Sequence, residues 1–278
     1  MYKYLNLVFC ALILFSCGNK TSSVFSIPPD AIPFDYSLRN IILNGSINDT
    51  LPINVFFDTG ASFSAIGLCD SLKDLLGEDK QFLQIGDIKK EMDVFYLKRE
   101  NSIFQRRGTN TAYIGWRFFA DNILEISFQH KYIRKLKEAT ELNGYKCIKI
   151  DTVPFLRIPV EIYLQEKMIK EDVIIDTGND GFLDLFYNTI KKHSILIDST
   201  QTEKVNTAQI GSYETFFVDG DSVKAGYAVP FQYHLRFFKA PECPFSGLIG
   251  TAFLDKFDVV LDLKDFYLYL KPIEKEEK

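Results

Sequence analysis

Val55-Phe56-Phe57-Asp58-Thr59-Gly60 is a short apolar run that ends in an aspartate, a threonine and a glycine, and the chain repeats this pattern as Val173-Ile174-Ile175-Asp176-Thr177-Gly178. An apolar run of this length, followed by the turn residues Asp and Gly, predicts a buried strand that delivers a carboxylate into a tight loop. The two aspartates lie 118 positions apart. Each half of the chain therefore supplies one.

Two carboxylates from the two halves have a chemical consequence if they meet. Asp58 and Asp176 cannot both ionise easily side by side, and a shared proton makes one of them a base and the other an acid. The repeat therefore predicts a reaction as well as a fold. The alternative is a pair of loops that use Asp and Gly for turn geometry alone.

The composition describes a folded protein with hydrophobic cores. The chain has 278 residues, of which 46% are hydrophobic and 14% aromatic. This suits one large domain or two of ordinary size and is unlike a disordered protein. A formal charge of −5, a pI near 5.4 and the lack of a basic stripe argue against a nucleic-acid partner.

The N-terminus has the features of a targeting segment. Lys3 supplies a positive charge, and the apolar run Leu5–Phe15 is shorter than the ~20 residues that span a membrane. The run ends in Leu14-Phe15-Ser16-Cys17, which resembles a bacterial lipoprotein box. The resemblance implies a signal peptide over residues 1–16, lipidation of Cys17, and a tether over residues 17–33. The protein would then be lipid-anchored in the cell envelope, at the periplasmic face or the outer membrane. An ordinary cleaved signal peptide is the alternative.

Cysteine and histidine usage does not favour a metal site. Removal of the signal and the lipid site leaves three of the five cysteines, Cys69, Cys147 and Cys243. They permit at most one disulfide, whose existence and pairing stay open, and they have no CxxC spacing. The histidines also lack metal-ligand spacing. We expect neither a metal nor another cofactor.

Both halves follow the same order of expected elements: strand, turn, strand, carboxylate loop and short helix. This order predicts a duplicated lobe. The first half has strands at Tyr36–Leu43 and Ile53–Phe57, turns at Asn44-Gly45 and Asn48-Asp49, and a helix at Ser71–Leu76; the second has strands at Phe155–Leu164 and Asp172–Ile175 and a helix at Leu185–Lys192.

The closing segments of the two halves also correspond. Superposition of Ile114-Gly115 on Ile249-Gly250 places Tyr132 opposite Tyr267, and it also matches large apolar residues, Phe118 with Phe253 and Phe119 with Leu254. We therefore predict an N-terminal lobe over residues 34–140 and a C-terminal lobe over residues 141–278. The charged stretch Gln129–Ile150 is expected to connect them.

These segments resemble one family. Phe57–Ser62 resembles the active-site motif of the aspartic proteases, in both the retroviral-type and the pepsin-type branches, and Ile175–Gly178 resembles the second copy found in bilobal members. Tyr113-Ile114-Gly115 and Leu248-Ile249-Gly250 resemble the hydrophobic-hydrophobic-Gly elements that pack beneath the catalytic loops. The resemblance covers roughly residues 34–272. It implies a mostly-β fold of two duplicated pepsin/retropepsin-like β-barrel lobes with an active-site cleft between them.

The resemblance also implies an activity. The chain would be an aspartic-type endopeptidase, a hydrolase in which Asp58 and Asp176 form the catalytic dyad. One carboxylate accepts a proton from a water that attacks a peptide carbonyl, and its protonated partner donates to the carbonyl oxygen. No covalent intermediate or metal is needed.

Five further residues would support the dyad. By the family pattern, Thr59 and Thr177 hydrogen-bond across the junction and lock the two loops. Gly60 and Gly178 permit the turn and close backbone approach. The Ser62 hydroxyl would bond the outer oxygen of Asp58 and favour its ionised form.

The second motif departs from the family pattern. Asn179 stands opposite Ala61, and Asp180 stands opposite Ser62, where the family usually has a small hydroxyl residue. An inward Asp180 would raise the pKa of the dyad by like-charge repulsion, whereas an outward one would lie harmlessly in solvent.

A family member also needs a β-hairpin flap over the cleft. Phe82–Leu97 is the best candidate in the first half, with Tyr96 as the flap tyrosine. A tyrosine on an ordinary strand is the alternative for this residue.

The expected partner is a peptide or protein substrate that lies extended in the cleft. A monomer suffices because both aspartates are on one chain, and the only membrane contact would be the lipid. There is no G-x-S-x-G elbow and no phosphate-binding loop. The alternative function is a non-catalytic peptide- or ligand-binding lipoprotein on the same fold.

Overall fold

The computed structural model describes residues 26–69, 80–97, 111–139, 142–197, 202–207, 211–218, 221–230, 235–238 and 244–273. Within these ranges the protein is mostly β, which confirms the predicted fold class at that level. The strands of the first half are β1 (Ile32–Asp35), β2 (Ile41–Ile47), β3 (Leu51–Phe57), β4 (Ala65–Cys69), β5 (Lys80–Ile85), β6 (Ile88–Leu97), β7 (Thr111–Ile114), β8 (Ile123–Ser127) and β9 (Tyr132–Leu136).

The second half contributes further strands and two short α-helices, and a 3-10 helix precedes β8. The strands are β10 (Lys146–Lys149), β11 (Arg157–Leu164), β12 (Lys167–Ile175), β13 (Leu183–Phe186), β14 (Thr202–Thr207), β15 (Gly211–Val218), β16 (Ser222–Ala225), β17 (Tyr227–Pro230), β18 (Leu235–Phe238), β19 (Gly247–Ile249), β20 (Phe257–Asp262) and β21 (Tyr267–Pro272). The helices are the 3-10 helix Trp116–Phe119, α1 (Tyr187–His193) and α2 (Thr251–Leu254).

Six strands of the first half close into a barrel in the order β2-β3-β7-β4-β6-β5, because β5 pairs with β2 as well as with β6. Gly45 lies at the crowded point of this closure. A Cβ there would lie 2.8 Å from Val55 Cγ2 and 2.9 Å from the carbonyl oxygen of Gln84. Glycine is needed at this position because neighbouring strands approach so closely.

One predicted turn is therefore wrong. Asn44-Gly45 lies inside β2, and the reversal into β3 occurs only at Asn48-Asp49, where both residues have positive φ. Asn and Asp tolerate this left-handed conformation better than most residues. The glycine that suggested a turn serves strand packing instead.

The second half has a nine-stranded sheet in which β11-β12-β19-β13-β18-β15 are neighbours. Along this series the pairings alternate between antiparallel and parallel, as they do along β2-β3-β7-β4-β6-β5. The two ends of the second series pair with other strands, β11 with β16 and β15 with β14. The described strands of this sheet therefore form an open series.

The two halves share a continuous sheet in the order β10-β21-β20-β8-β9-β1, which continues into the barrel. At its centre β8 and β20 pair antiparallel, with Glu125 opposite Val260. The predicted connection Gln129–Ile150 therefore contributes two strands to this sheet, β9 and β10. The charged residues of this stretch hide the strand pattern in the sequence. In the structure they form ion pairs, such as Arg134 with Glu125 and Lys135 with Asp87.

The large apolar residues that follow the two Ile-Gly pairs lie in the core. Phe118, Phe119, Phe253 and Leu254 are all buried. Phe119 meets Phe57 edge-to-face with ring centroids 5.0 Å apart. Phe119 is thus held in place by Phe57, the last residue of β3, which leads into the first loop.

Several predictions lie outside the described residues. These are the signal peptide, Cys17, the helix at Ser71–Leu76 and most of the tether; β1 already begins at Ile32. None of the helices in the described part of the chain is both long and apolar enough to span a membrane.

Candidate active site

Two equivalent strand pairs position the two Asp-Thr-Gly loops. β3 runs parallel to β7, with Phe57 opposite Ile114, and β12 runs parallel to β19, with Ile175 opposite Ile249. The backbone N–H of Asp58 donates to the carbonyl oxygen of Ile114 at 2.9 Å, and that of Asp176 donates to Ile249 at 2.9 Å. Each loop therefore leaves its sheet at the same point.

The threonines join the two loops reciprocally. The backbone N–H of Thr59 donates to Thr177 Oγ1 at 3.0 Å, and the backbone N–H of Thr177 donates to Thr59 Oγ1 at 3.0 Å. Each hydroxyl then donates to a carbonyl oxygen of the opposite strand, Thr59 to Ile175 and Thr177 to Phe57, both at 2.7 Å. Both threonines are buried. Loss of one hydroxyl would leave buried groups unsatisfied, at a cost of about 1–3 kcal/mol for each group.

The glycines bring each loop against the carboxylate of the other. A Cβ built on Gly60 would lie 2.5 Å from Asp176 Cγ, and a Cβ built on Gly178 would lie 2.5 Å from Asp58 Cγ. Neither glycine has a positive φ. These glycines are therefore required for close approach rather than for an unusual turn, and the two carboxyl groups face the junction between the loops.

The two apolar-Gly elements pack directly against the loops. A side chain at Gly115 would collide with the carbonyl oxygen of Ala61, and one at Gly250 would collide with that of Gly181. Ser64 Oγ accepts a hydrogen bond from the Gly115 N–H at 2.9 Å. The first loop is thus tied to its apolar-Gly element through Ser64.

Asp176 has an unusual electrostatic environment. Burial raises its pKa well above the ordinary range, and the adjacent Asp58 carboxylate raises it further; Asp184 adds to this effect. The backbone N–H groups of Gly178 and Asn179 donate to Asp176 Oδ1 at 2.9 and 3.1 Å, which opposes the shift. The nearby Asp58 carboxylate therefore disfavours the ionised form of Asp176.

The sequence did not single out Asn40, which joins the first half to the second loop. Its side chain is buried, and its Nδ2 donates to the carbonyl oxygen of Gly178 at 2.9 Å. Nearby, Thr251 Oγ1 donates to the carbonyl oxygens of Arg39 at 2.5 Å and Asn179 at 3.1 Å. No motif marks Asn40, because its partner is a backbone atom 138 residues away.

A buried ion pair lies behind the second loop and was also missed. Asp184 on β13 accepts two hydrogen bonds from Arg236 on β18, and it accepts one from Asn179 Nδ2 at 2.6 Å. Burial raises the pKa of Asp184 although the Arg236 guanidinium opposes the shift. The available signal was Asp184 itself, an aspartate in an apolar strand. The sequence alone does not pair it with Arg236, which is 52 positions away.

Asp180 takes the outward of its two predicted orientations. Its side chain is 60% exposed and pairs with Arg236 at 3.3 Å. Asp184, which lies on β13 of the same half, adds to the raised pKa of Asp176.

The roles predicted for Ser62 and Tyr96 stay predictions. Ser62 is exposed and its carbonyl oxygen accepts a hydrogen bond from Arg117 at 2.9 Å. The backbone of Tyr96 pairs with Leu68, and its side chain lies outside the described residues. A cavity of about 310 Å³ adjoins the first loop, and Phe63 is part of its lining.

The hairpin proposed as a flap is part of the barrel. Both strands, β5 and β6, are barrel strands, and a Cβ at Gly86 in the turn would lie 2.8 Å from Ile32 Cδ1. Lys135 on β9 pairs with Asp87 in the same turn. These contacts hold the turn against β1 and β9, and the flap role of this hairpin stays a prediction.

The described residues contain no group of three or more His, Cys, Asp or Glu side chains arranged to bind a metal ion. Cys147 is exposed and forms no disulfide. Cys243 lies outside the described residues, as does the side chain of Cys69.

Comparison with known proteins does not place the chain in a family. Neither the models of known protein families nor the curated proteins contain a match to it.

Proposed function

We propose that this chain is an aspartic endopeptidase whose Asp58 and Asp176 activate a water for peptide-bond hydrolysis. The observation that carries the proposal is the reciprocal junction: each aspartate lies against the other loop's glycine, and each threonine hydroxyl binds the other loop's backbone. Turn geometry alone would not require the two loops to meet.

We assign the role of general acid toward the substrate carbonyl to Asp176, because burial and the adjacent Asp58 carboxylate raise its pKa. In this proposal Asp58 is the base that takes a proton from the attacking water. The buried threonines, and the glycines that pack directly against the carboxyl groups, keep these groups in place before substrate binds. This lowers the free energy needed to reach the transition state.

The proposed fold is a pair of duplicated pepsin/retropepsin-like lobes, over residues 34–140 and 141–278. The matched strand order of the two sheets supports it. So does the register of the closing hairpins: Ser127 pairs with Tyr132 at the end of one, and Asp262 pairs with Tyr267 at the end of the other. Glu125 and Val260, which are equivalent under this superposition, pair with each other across the centre.

The proposed location is the bacterial envelope, with the protein held by a lipid on Cys17. The support is the sequence around that residue. Expression of the full chain with Cys17→Ser should release the protein from the membrane fraction. Retention of the variant in that fraction would contradict lipid anchoring.

The activity test is digestion of a diverse peptide mixture by a soluble form that begins at Gly18. Wild type is compared with Asp58→Asn and Asp176→Asn, with and without a statine-type inhibitor. Asp172→Asn is the matched control, because it makes the same change at an exposed position of β12, the strand that leads to Asp176.

We expect cleavage by wild type and by Asp172→Asn, inhibition by the statine compound, and loss of cleavage in both dyad variants. Equal cleavage by wild type and the dyad variants would refute the mechanism. Specific peptide binding without cleavage from pH 3 to 8 would favour the non-catalytic binding lipoprotein.

A further inference from the structure

The two halves differ at one equivalent pair of positions beneath the loops. In the second sheet Asp184 on β13 lies opposite Arg236 on parallel strand β18. In the first sheet the equivalent residue is Ala65, because Ala65 pairs with Tyr113 on β7 as Asp184 pairs with Leu248 on β19, and the superposed Ile-Gly pairs match Tyr113 with Leu248. Ala65 is buried. The same place in the fold thus holds a buried carboxylate in one half and a methyl group in the other.

The ionic version is a closely built arrangement. Arg236 Nε donates to Asp184 Oδ1 at 2.7 Å, and Arg236 Nη2 donates to Asp184 Oδ2 at 2.8 Å. The side chain of Asp184 is 1% exposed and that of Arg236 is 21% exposed. Gly181 makes room for the guanidinium, since any side chain there would collide with Arg236.

Stability alone does not explain this arrangement. A buried ion pair is often no more stabilising than apolar residues of similar volume, because both charges lose their hydration. The first half fills the position equivalent to Asp184 with the apolar residue Ala65. The fold itself therefore does not require an ion pair at this position.

Its contacts lead to the second loop through Asn179. Arg236 Nη2 donates to Asn179 Oδ1 at 2.8 Å, and Asn179 Nδ2 donates to Asp184 Oδ2 at 2.6 Å. The backbone N–H of Asn179 in turn donates to Asp176 Oδ1 at 3.1 Å. The equivalent residue of the first loop, Ala61, has no side-chain polar group to be held in this way.

The geometry points to Asp184 and Arg236 as positioning residues for the second catalytic loop: they clamp both ends of the Asn179 amide and thereby hold its backbone N–H against Asp176. This inference rests on the proposed function for its catalytic meaning. The claim that the Asp184–Arg236 pair holds the second loop does not depend on any activity.

The test replaces the ion pair by apolar residues of similar volume, in the variant Asp184→Leu with Arg236→Met. Amide hydrogen exchange at Gly178 and Asn179 is measured by NMR, with Gly60 and Ala61 as internal references. The control variant, Ile66→Val with Val94→Ile, makes a volume-conserving change in the first sheet. Asn179→Ala, which keeps the ion pair but removes the clamped amide, is the second variant if the first fails to fold.

We expect a folded double variant whose exchange at residues 178 and 179 is at least tenfold faster than in wild type, with no change at Gly60 and Ala61. The control should match wild type throughout. On a cleaved peptide, kcat should fall at least tenfold while KM changes less than threefold, as expected for misplaced catalytic groups.

The two proposals fail differently. If wild type cleaves no peptide, the proposed function fails, but faster exchange in the second loop would still establish the clamp. Unchanged exchange at Gly178 and Asn179 in a folded double variant, or in Asn179→Ala, would overturn the positioning role even if the wild type is an active peptidase.

Discussion

Gly60 and Gly178 are the residues at which the smallest change should have the largest effect on catalysis. Each lies flush against the carboxyl group of the opposite aspartate, so an added methyl group would have to displace that carboxylate. Neither position requires positive φ. Because the backbone should accept alanine, the substitution should disturb the site and leave the fold intact.

We therefore predict that Gly60→Ala and Gly178→Ala each lower kcat at least about 100-fold, in line with the effect of small misplacements of catalytic groups. Steady-state kinetics would measure the loss, and thermal unfolding would show whether the variants remain folded. Wild-type kcat in either folded variant would contradict the close packing of the loops.

The raised pKa of Asp176 makes a prediction about pH. Activity that needs a proton on Asp176 persists above the ordinary aspartate pKa of about 3.9 and is lost only as pH rises through the raised value. The pH–rate profile should therefore extend its alkaline limb well above pH 4. The values it reports belong to the coupled pair rather than to one residue.

Asp180→Asn tests whether the Asp180 carboxylate influences the alkaline limb of the pH–rate profile. Because Asp180 is mostly exposed and pairs with Arg236, its neutralisation should leave the alkaline limb in place. A clear shift of that limb to lower pH in Asp180→Asn would contradict this, because it would show that Asp180 also raises the pKa of Asp176.

At the scale of elements, α1 is fastened to the second sheet by one buried carboxylate. Glu171 on β12 accepts hydrogen bonds from Lys192 at 2.7 Å and Ser246 at 2.5 Å, and it also contacts His193. Burial opposes its ionisation, but these partners outweigh burial, and the pKa of Glu171 lies below its ordinary value. The contact therefore depends on pH.

A lowered pKa means that the stabilisation is present above the unfolded-state value of about 4.3 and is lost as pH falls through the lower folded-state value. Glu171→Gln should reduce the free energy of unfolding at pH 7 by about 1–3 kcal/mol, because hydrogen bonds to a buried charged group are weakened. The difference from wild type should disappear in acid.

Glu161→Gln is the matched control, since Glu161 is on neighbouring strand β11 and forms ion pairs with Lys170 and Lys224 at the surface. Urea unfolding at several pH values would measure both variants. A Glu171→Gln curve that tracks the Glu161→Gln curve at pH 7 would contradict the fastening role.

How far the sequence predicts these elements depends on whether their contacts are local. β3 and β12 were expected from apolar runs that lead into Asp-Thr-Gly, and both strands end at those motifs. β9 was not expected, because its charges suggested solvent. Its cross-strand partners, such as Glu125 for Arg134, are visible only once β8 and β9 are paired.

The same limit applies to the candidate site. Asp58, Thr59 and Gly60 carry a local signature, and so do their counterparts in the second half. The Asp184–Arg236 pair and Asn40 have none, since each depends on a partner that the fold brings from a distant segment. A comparison of the two motifs position by position drew attention to Asp180, whose orientation it left open, and it could not reach Asp184.

At the scale of the whole molecule, the described residues join the two halves at the loops and along the closing strands. The loops meet through Thr59 and Thr177, and the closing strands meet where Glu125 pairs with Val260. The shared sheet holds the halves together, and the loop junction joins them again at the carboxylates. These connections explain how one chain brings two distant aspartates together.

The most direct test of the dyad is a double-mutant cycle on one cleaved peptide. If Asp58 and Asp176 act as a single unit, Asp58→Asn and Asp176→Asn should each lower kcat/KM at least about 1,000-fold, and the double variant should be no slower than the slower single variant. If either single variant keeps wild-type kcat/KM, or if the two losses multiply in the double variant, the aspartates do not act as one catalytic pair.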